Sequence, residues 1–382
     1  MRGTWIFLLL IFALTGPVCI AQAGTSTDLE TRLELAARAW HDAGLFDGVI
    51  LVGRGGDIAW QGGFGDAVRE WEIANAPDVR YPIASLTKQF TAVLIMQAMQ
   101  EELLELDQTL GELLPWYTGE ARNRVTVRDL LSHTSGIPDT PVVLYTNPSP
   151  EAEDARWVAE NHCSGALQFD PGTGFDYTNT DYHLLGAVLE AVHGQRFEEI
   201  VRARIVEPLA LSDTRLARRD EVWARRPVDY VPAENGWLRA IPFEWENWGA
   251  AGGLYSTVTD LHRWNQALSR HELLSAETTE LMLTPRETIS GTGSYVALGS
   301  WVYSRPLPGS DLAPLLVERR GAIGGFASLN VFEKDSEDWV ILLTNHYNEN
   351  IHSLPWARCL PLDLWMVLKG LSPQGPEPSE GR

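Results

Sequence analysis

Hydrophobic spacing along this chain switches between two periods. Residues 29–44, LETRLELAARAWHDAG, place apolar side chains three and four apart and predict an amphipathic helix. The next stretch, GVILVGRGGDIAWQGGFG, has two apolar runs and reads as a β-hairpin turned at Arg54 to Asp57. A second helix is predicted from about Ser85 to Glu102, and from there to about residue 215 the pattern is mostly helix and loop. Its clearest helix is TDYHLLGAVLEAVHG, where Tyr182, Leu185, Ala187, Leu189 and Val192 form an apolar face and Gly194 supplies a stop. The final third returns to strands, in GGLYST, YVALGSWVY, FASLNVFEK and DWVILLTNH, the last two separated by a charged turn around Asp335 to Asp338. LPWARCLPLDLWMVLKGL reads as a closing helix whose Arg358 and Asp363 argue against a membrane span. The terminal SPQGPEPSEGR, residues 372–382, has the composition of a disordered tail.

Strands at both ends with a helical block between them predict an α+β fold. One antiparallel sheet is assembled from the two extremities of the chain and flanked by helices, with a mostly helical lobe inserted at roughly residues 103–215. A cleft between the lobes is where a site is expected.

Composition narrows the function. The chain has 382 residues, 45% of them hydrophobic, enough for one large domain or two intimate lobes. Its 51 acidic and 30 basic residues give a net charge of -21, which argues against nucleic acid or anionic lipid as a partner. Residues 1–23 carry an early positive charge, a short apolar run and the small-x-small sequence Ala21-Gln22-Ala23, the form of a signal peptide, so the mature chain is expected to begin near Gly24. The apolar run is interrupted by Gly16 and Pro17 and is marginal for a bilayer span. Export to the periplasm or medium is favoured over anchoring, with no stable membrane span after cleavage. Val18 is bulky for lipid attachment at Cys19, and the distant pair Cys163 and Cys359 does not by itself establish a disulfide.

Several familiar sites are absent: no G-x-S-x-G, no H-E-x-x-H, no C-x-x-C and no phosphate loop. His133, His183 and His262 lack ligand spacing and read as solvated or core histidines, so neither metal nor cofactor is expected. The basic residues are almost all arginine. Only Lys88, Lys334 and Lys369 are lysines, and Lys88 lies in the apolar run YPIASLTKQFTAVLIMQAMQ. Arginine holds its proton in a protein, whereas burial can make lysine neutral. One reading of Lys88 is a snorkelling side chain with its stem on the core. The other joins it to Ser85, three residues earlier and on the same helical face. A neutral lysine can take the proton of a serine hydroxyl and make it a nucleophile, and Ser85 near a helix N-terminus offers its N–H to an oxyanion.

Four stretches carry a resemblance. IASLTKQFTAVLIMQ, LLSHTSGIPD, FDPGTGFDYTNTDYHLLGAVLEAVHG and AAGGLYSTVTDLHRWNQAL resemble, in order and wording, the serine beta-lactamase family related to class C enzymes and penicillin-binding proteins, over most of residues 28–350. The resemblance implies a beta-lactamase/transpeptidase-like fold and a catalytic domain at 24–371, with Ser85 as nucleophile and Lys88 as proton acceptor. The family's Y-x-N motif has two candidates. Tyr145 to Asn147 lies in a Pro-rich loop and reads as incidental; Tyr177 to Asn179 follows FDPGTGFD and opens a helix, so Tyr177 is assigned to proton transfer and Asn179 to the substrate or to Lys88. Taken singly, each also fits a packed tyrosine and a capping asparagine. The third motif departs from the family: K-T-G or H-x-G is replaced by Arg319-Arg320-Gly321. Gly321 permits close approach to substrate, and the Ala322 N–H is the expected second oxyanion donor beside that of Ser85. Arg319 keeps a positive charge and a fork suited to a carboxylate, but transfers no proton.

The family includes beta-lactamases, D,D-peptidases, D-amino-acid peptidases and esterases. The expectation is therefore an exported serine hydrolase acting, through an acyl-enzyme, on a small-molecule or peptide substrate: an ester, a D-amino-acid peptide or a beta-lactam-like amide. The arginine at 319 favours esterase or peptidase-like activity over efficient beta-lactam destruction. A catalytically lapsed relative acting as a ligand-binding protein is the alternative. Trp237, Trp245 and Trp248 are placed equally by sequence in the cleft wall or in the lobe interface.

Overall fold

The computed structural model describes residues 26–147, 154–216, 218, 221–234, 236–289, 294–348, 351 and 358–377. The signal-peptide and Cys19 readings, and the end of the tail, lie outside the described residues. Helix α1 spans Ser26–Asp42. The hairpin follows as β1, Gly48–Arg54, and β2, Asp57–Phe64, with Arg54 opposite Asp57 and the left-handed Gly55 and Gly56 between them.

The remaining strands of the main sheet come from the last third: β3 Glu287–Ile289, β4 Ser294–Val296, β5 Trp301–Ser304, β6 Leu315–Ile323, β7 Phe326–Glu333 and β8 Trp339–Thr344. Their order is β3-β4-β5-β6-β7-β8-β1-β2, antiparallel throughout, so the two ends of the chain meet where β8 pairs with β1. The sheet is covered on both faces. Val49 and Leu51 of β1 enter the core shared with the helical lobe, while Ile50 and Val52 enter the one under α1 and the closing helix. That two-sided burial explains why β1 reads as an unbroken apolar run rather than an alternation.

The inserted lobe is mostly helical. Between residues 103 and 215 it holds short helices, among them Val127–Leu131, Val143–Thr146 and Ala155–His162, before the long helix Thr180–His193, whose stop is the left-handed Gly194. The helix expected from Ser85 is shorter and later. A single 3-10 turn, Ala84–Leu86, precedes the α-helix Thr87–Gln100, in which the first twelve residues are buried. Ala84 is held at φ +49°, a conformation uncommon for a residue with a Cβ.

Two strand expectations change. YVALGSWVY is not one strand but the β4–β5 hairpin, while GGLYST contributes Leu254–Ser256 to a separate three-stranded sheet with Tyr81–Pro82 and Arg215–Leu216. The long strand β6 contains Glu318, Arg319 and Arg320 in succession. Glu318 is buried, accepts from Tyr303 at 2.6 Å and pairs with Arg320 at 2.5 Å, while Arg319 points to the other face.

The closing helix runs over Leu360–Leu368, after the buried Cys359; residues 352–357 lie outside the description. Cys163 and Cys359 are both free, each buried in a different core. No described helix is long and apolar enough to cross a membrane. The start of the tail is held down: Asp363 accepts from the backbone N–H groups of Gln374 and Gly375 at 2.7 and 3.0 Å and from Trp40 Nε1 at 2.8 Å. One buried carboxylate thus ties the first helix, the closing helix and residues 374–375 together. Asp363→Ala leaves the buried Trp40 Nε1 without its acceptor and releases the more exposed N–H groups of Gln374 and Gly375 to water, and is expected to cost about 1–3 kcal/mol, read as a lower urea midpoint.

Candidate active site

Chain folding brings Ser85, Lys88, Tyr177, Asn179, Arg319 and Gly321 into one connected group. The Ala84–Leu86 turn lies against β6 so closely that a Cβ on Gly321 would stand 2.5 Å from the Ile83 carbonyl oxygen, 2.6 Å from the Ser85 nitrogen and 2.9 Å from the Ala84 Cβ. Only glycine fits. Ser328 Oγ, on the neighbouring β7, donates to the same Ile83 carbonyl at 2.6 Å and fixes the turn on the sheet. In the register of the sheet β5 covers β6 only as far as Glu318, so Ala322 lies beyond that pairing, exposed and next to the Gly321 contact.

Lys88 is fully buried. Its Nζ lies 2.6 Å from the Ala251 carbonyl, 2.8 Å from Asn179 Oδ1 and 3.2 Å from Ser85 Oγ. Burial pulls the amine down from 10.5 to about 8; the Arg319 cation acts in the same direction, while the Tyr177 hydroxyl opposes it. The contrast with the other two lysines is plain, since Lys334 pairs with Glu280 and Lys369 with Glu333 and Asp338. A neutral amine has two N–H bonds and one lone pair. Two carbonyl oxygens take the N–H bonds, which aims the lone pair at Ser85 Oγ.

Tyr177 donates to Ser85 Oγ at 2.8 Å from the other side. Its burial favours the neutral phenol, but the charges of Lys88 and Arg319 and its hydrogen bonds outweigh that and hold it below the usual tyrosine range. Arg319 is 1% exposed and is spent inside the protein: Nε donates to the Ser85 carbonyl at 3.0 Å and an Nη to the Tyr177 hydroxyl at 3.1 Å. The guanidinium carbon lies 4.7 Å from the Trp301 ring centre and 5.3 Å from that of Tyr177. The fork that sequence offered to a substrate carboxylate is turned inward.

Sequence reasoning missed several members of the site. Asp139, in LLSHTSGIPD, accepts from the Asn179 backbone N–H at 2.6 Å. The Ala251 carbonyl and Trp301 leave no local pattern at all. His133, His183 and His262 are core histidines, His183 and His262 held down by burial to about 3 and about 4. The tryptophans divide: Trp248 is buried in the lobe interface against Tyr145, Trp245 packs on Phe326 and Tyr255, and Trp237 lies against Arg69 and His346.

The family model described as Beta-lactamase matches residues 34–354. The chain belongs to the beta-lactamase family. It is accordingly a serine hydrolase by family, with a fold of the beta-lactamase/transpeptidase type. It is 26% identical over 304 residues to the putative penicillin-binding protein PbpX of Bacillus subtilis (strain 168), covering 79% of this chain and 71% of that one. A penicillin-binding protein from Bacillus halodurans superposes with a TM-score of 0.70 at 27% identity, over 83% of this chain and 95% of the other. EstCE1, described as a hydrolase with promiscuous acyltransferase activity, superposes at TM-score 0.75 over 90% of this chain and 99% of its own; at 19% identity that likeness is one of fold.

Three predictions follow from the beta-lactamase-type geometry. If the free amine at 88 is the base, the acylation rate rises with pH through about 8 and is lost as pH falls below it. Arg319→Met removes the like charge beside Lys88, so the acid limb of the same profile moves to higher pH. Gly321→Ala forces the turn off the strand, at about 1–3 kcal/mol of stability, and the rate of modification of Ser85 falls with it.

Proposed function

We propose that this protein is an exported hydrolase that forms an acyl-enzyme on Ser85 and acts on uncharged esters or amides. The observation that carries the reading is the placement of Ser85 Oγ between a buried amine at 3.2 Å and a phenol hydroxyl at 2.8 Å. Ser85 attacks a carbonyl carbon and its proton passes to Lys88 or Tyr177. The N–H groups of Ser85 and Ala322 stabilise the oxyanion, and Tyr177 returns a proton to the leaving group. Water then gives a proton to the same pair as it attacks the acyl-enzyme, and Ser85 leaves with that proton.

Arg319 acts in this scheme as a fixed cation. It lowers the cost of a phenolate at Tyr177 and a neutral amine at Lys88, and holds the Ser85 backbone. Since both contacts turn its donors inward, it offers little to a substrate carboxylate, which supports a neutral ester or amide over a peptide ending in a free carboxylate or a beta-lactam acid. Export rests on the sequence of residues 1–23.

Intact mass after treatment with a fluorophosphonate tests the mechanism before any substrate is known. An adduct on the wild-type protein that is missing from Ser85→Ala is expected; folded protein that takes no adduct would leave a lapsed, ligand-binding relative as the better account. Given an active enzyme, an uncharged aryl ester is expected to turn over faster than a cephalosporin, and the reverse order would sink the substrate reading.

A further inference from the structure

Both oxygen atoms that hold the Lys88 amine are themselves held by one loop of the helical lobe. On one side, Asp139 Oδ1 accepts from the backbone N–H groups of Asn179 at 2.6 Å and Thr140 at 2.9 Å, and Asp139 Oδ2 lies 3.4 Å from Asn179 Nδ2. A side-chain amide is nearly symmetric in shape, so which of its ends faces Lys88 is decided by polar partners. With a carboxylate beside Nδ2, a turned amide would set oxygen against oxygen, and Oδ1 stays toward Nζ.

On the other side stands Tyr145, from the Y-T-N that the sequence marks as incidental. Its ring stacks on Trp248 at 3.7 Å between centres and 13° between planes, and its carbonyl accepts from Glu244 N at 2.9 Å. Asn247 Nδ2 donates to the Leu144 and Asn147 carbonyls at 2.5 and 2.9 Å. Trp248 leads directly into the Gly249–Gly252 turn, whose Ala250 carbonyl receives Thr91 Oγ1 at 2.8 Å and whose Ala251 carbonyl receives Lys88 Nζ. The two arms are joined, because the Tyr145 hydroxyl bonds to Thr140 Oγ1 and, at 3.0 Å, to His183 Nε2.

We propose that the loop from Asp139 to Asn147 is a positioning device for the Lys88 amine: Asp139 sets the Asn179 oxygen toward Nζ, and Tyr145 holds the turn that brings up the Ala251 carbonyl. The inference rests on reading Ser85 and Lys88 as the acylation centre. Neither Asp139 nor Tyr145 touches the reacting atoms. They act by fixing where the lone pair of the neutral amine points, and a reacting group turned away from its partner loses rate while substrate binding is left alone.

Ionisable groups of this loop and of the elements around it act on Lys88. Tyr177 and Asp139 favour its proton, Arg319 from β6 opposes it, and His133, Asp181 and His183 are buried within range of its charge. Asp139→Asn removes one of the groups that hold the proton and one of the acceptors that orient the amide. The plateau rate and the acid limb are therefore both expected to fall, the limb to lower pH, opposite to the shift expected for Arg319→Met. A loss of fold alone would lower the melting temperature without moving the limb.

The test is the rate of fluorophosphonate adduct formation on full-length protein, by intact mass, at a series of pH values on both sides of 8, with melting temperature as the control. Asp139→Asn is expected to slow the plateau about tenfold or more and move the limb down, with partial recovery in Asp139→Glu. Tyr145→Phe, which keeps the stack, is expected to lose less than Tyr145→Leu, which removes it; this pair carries the test if the Asp139 variants do not fold. A folded Asp139→Asn with the wild-type plateau and limb, or a Tyr145→Leu as fast as Tyr145→Phe, would overturn the proposal while leaving the active hydrolase intact. Wild-type protein that takes no adduct overturns both.

Discussion

An amine withdrawn from water without a carboxylate beside it is the constraint around which this structure is arranged. Among the described residues neither Lys88 nor Arg319 forms an ion pair, and both are buried. The interior accommodates them in different ways. Lys88 can shed its charge, and its remaining N–H bonds have carbonyl acceptors. Arg319 cannot, and instead donates to a carbonyl and a hydroxyl and lies among the rings of Trp301, Tyr177 and Tyr182. The fixed cation of Arg319 in a low-dielectric pocket holds a standing positive potential over Ser85. Negative charge on a phenol or a carbonyl oxygen is stabilised there before any substrate arrives, which is the sense in which the protein is preorganised for acyl transfer.

The fold supplies this pocket from three separated parts of the chain. The candidate nucleophile Ser85 and the Lys88 amine come from the turn and helix after the first hairpin, Tyr177 and Asn179 from the inserted lobe, and Arg319 and Gly321 from β6. The rigid member is the sheet. Strand β6 is fixed by β7 along its length, and the Ala84–Leu86 turn is pressed against it until only a glycine fits between. The lobe brings its contribution to this surface through many polar contacts, several of them converging on one loop.

What the sequence made legible was whatever a few neighbouring residues could express. The spacing of Ser85 and Lys88 is local, and so is the flank that distinguishes Tyr177 from Tyr145. The hairpin of β1 and β2 declares itself through Gly55 and Gly56 and the apolar runs beside them. The direction of Arg319 was not legible, because it is decided by Ser85 and Tyr177, 234 and 142 positions away. Asp139 escaped notice for the same reason, its chief partner lying 40 residues on. Trp301 was hidden in a stretch that reads as one strand, since the turn at Ala297 to Ser300 carries no proline or asparagine to announce it. Tyr145 was set aside as a repeat of a motif without its surroundings, and only its stack on Trp248 reveals what it supports.

The pairing of β8 with β1 has a consequence for the life of the molecule before it is a molecule. The seam joins residues 48–53 to residues 339–344, so the central sheet stays open until nearly the whole chain has been made. Contacts of that sequence separation are slow to form, because a long loop must close before any of them is rewarded. Until β6 and β7 are in place the burial of Lys88 is incomplete and the Arg319 cation is missing from beside it, and an amine that water reaches keeps its proton. A nascent or unfolded chain therefore carries an ordinary serine beside an ordinary ammonium ion. The hydrolase is silent by topology wherever it is still unfolded, and becomes reactive only when its last strands arrive.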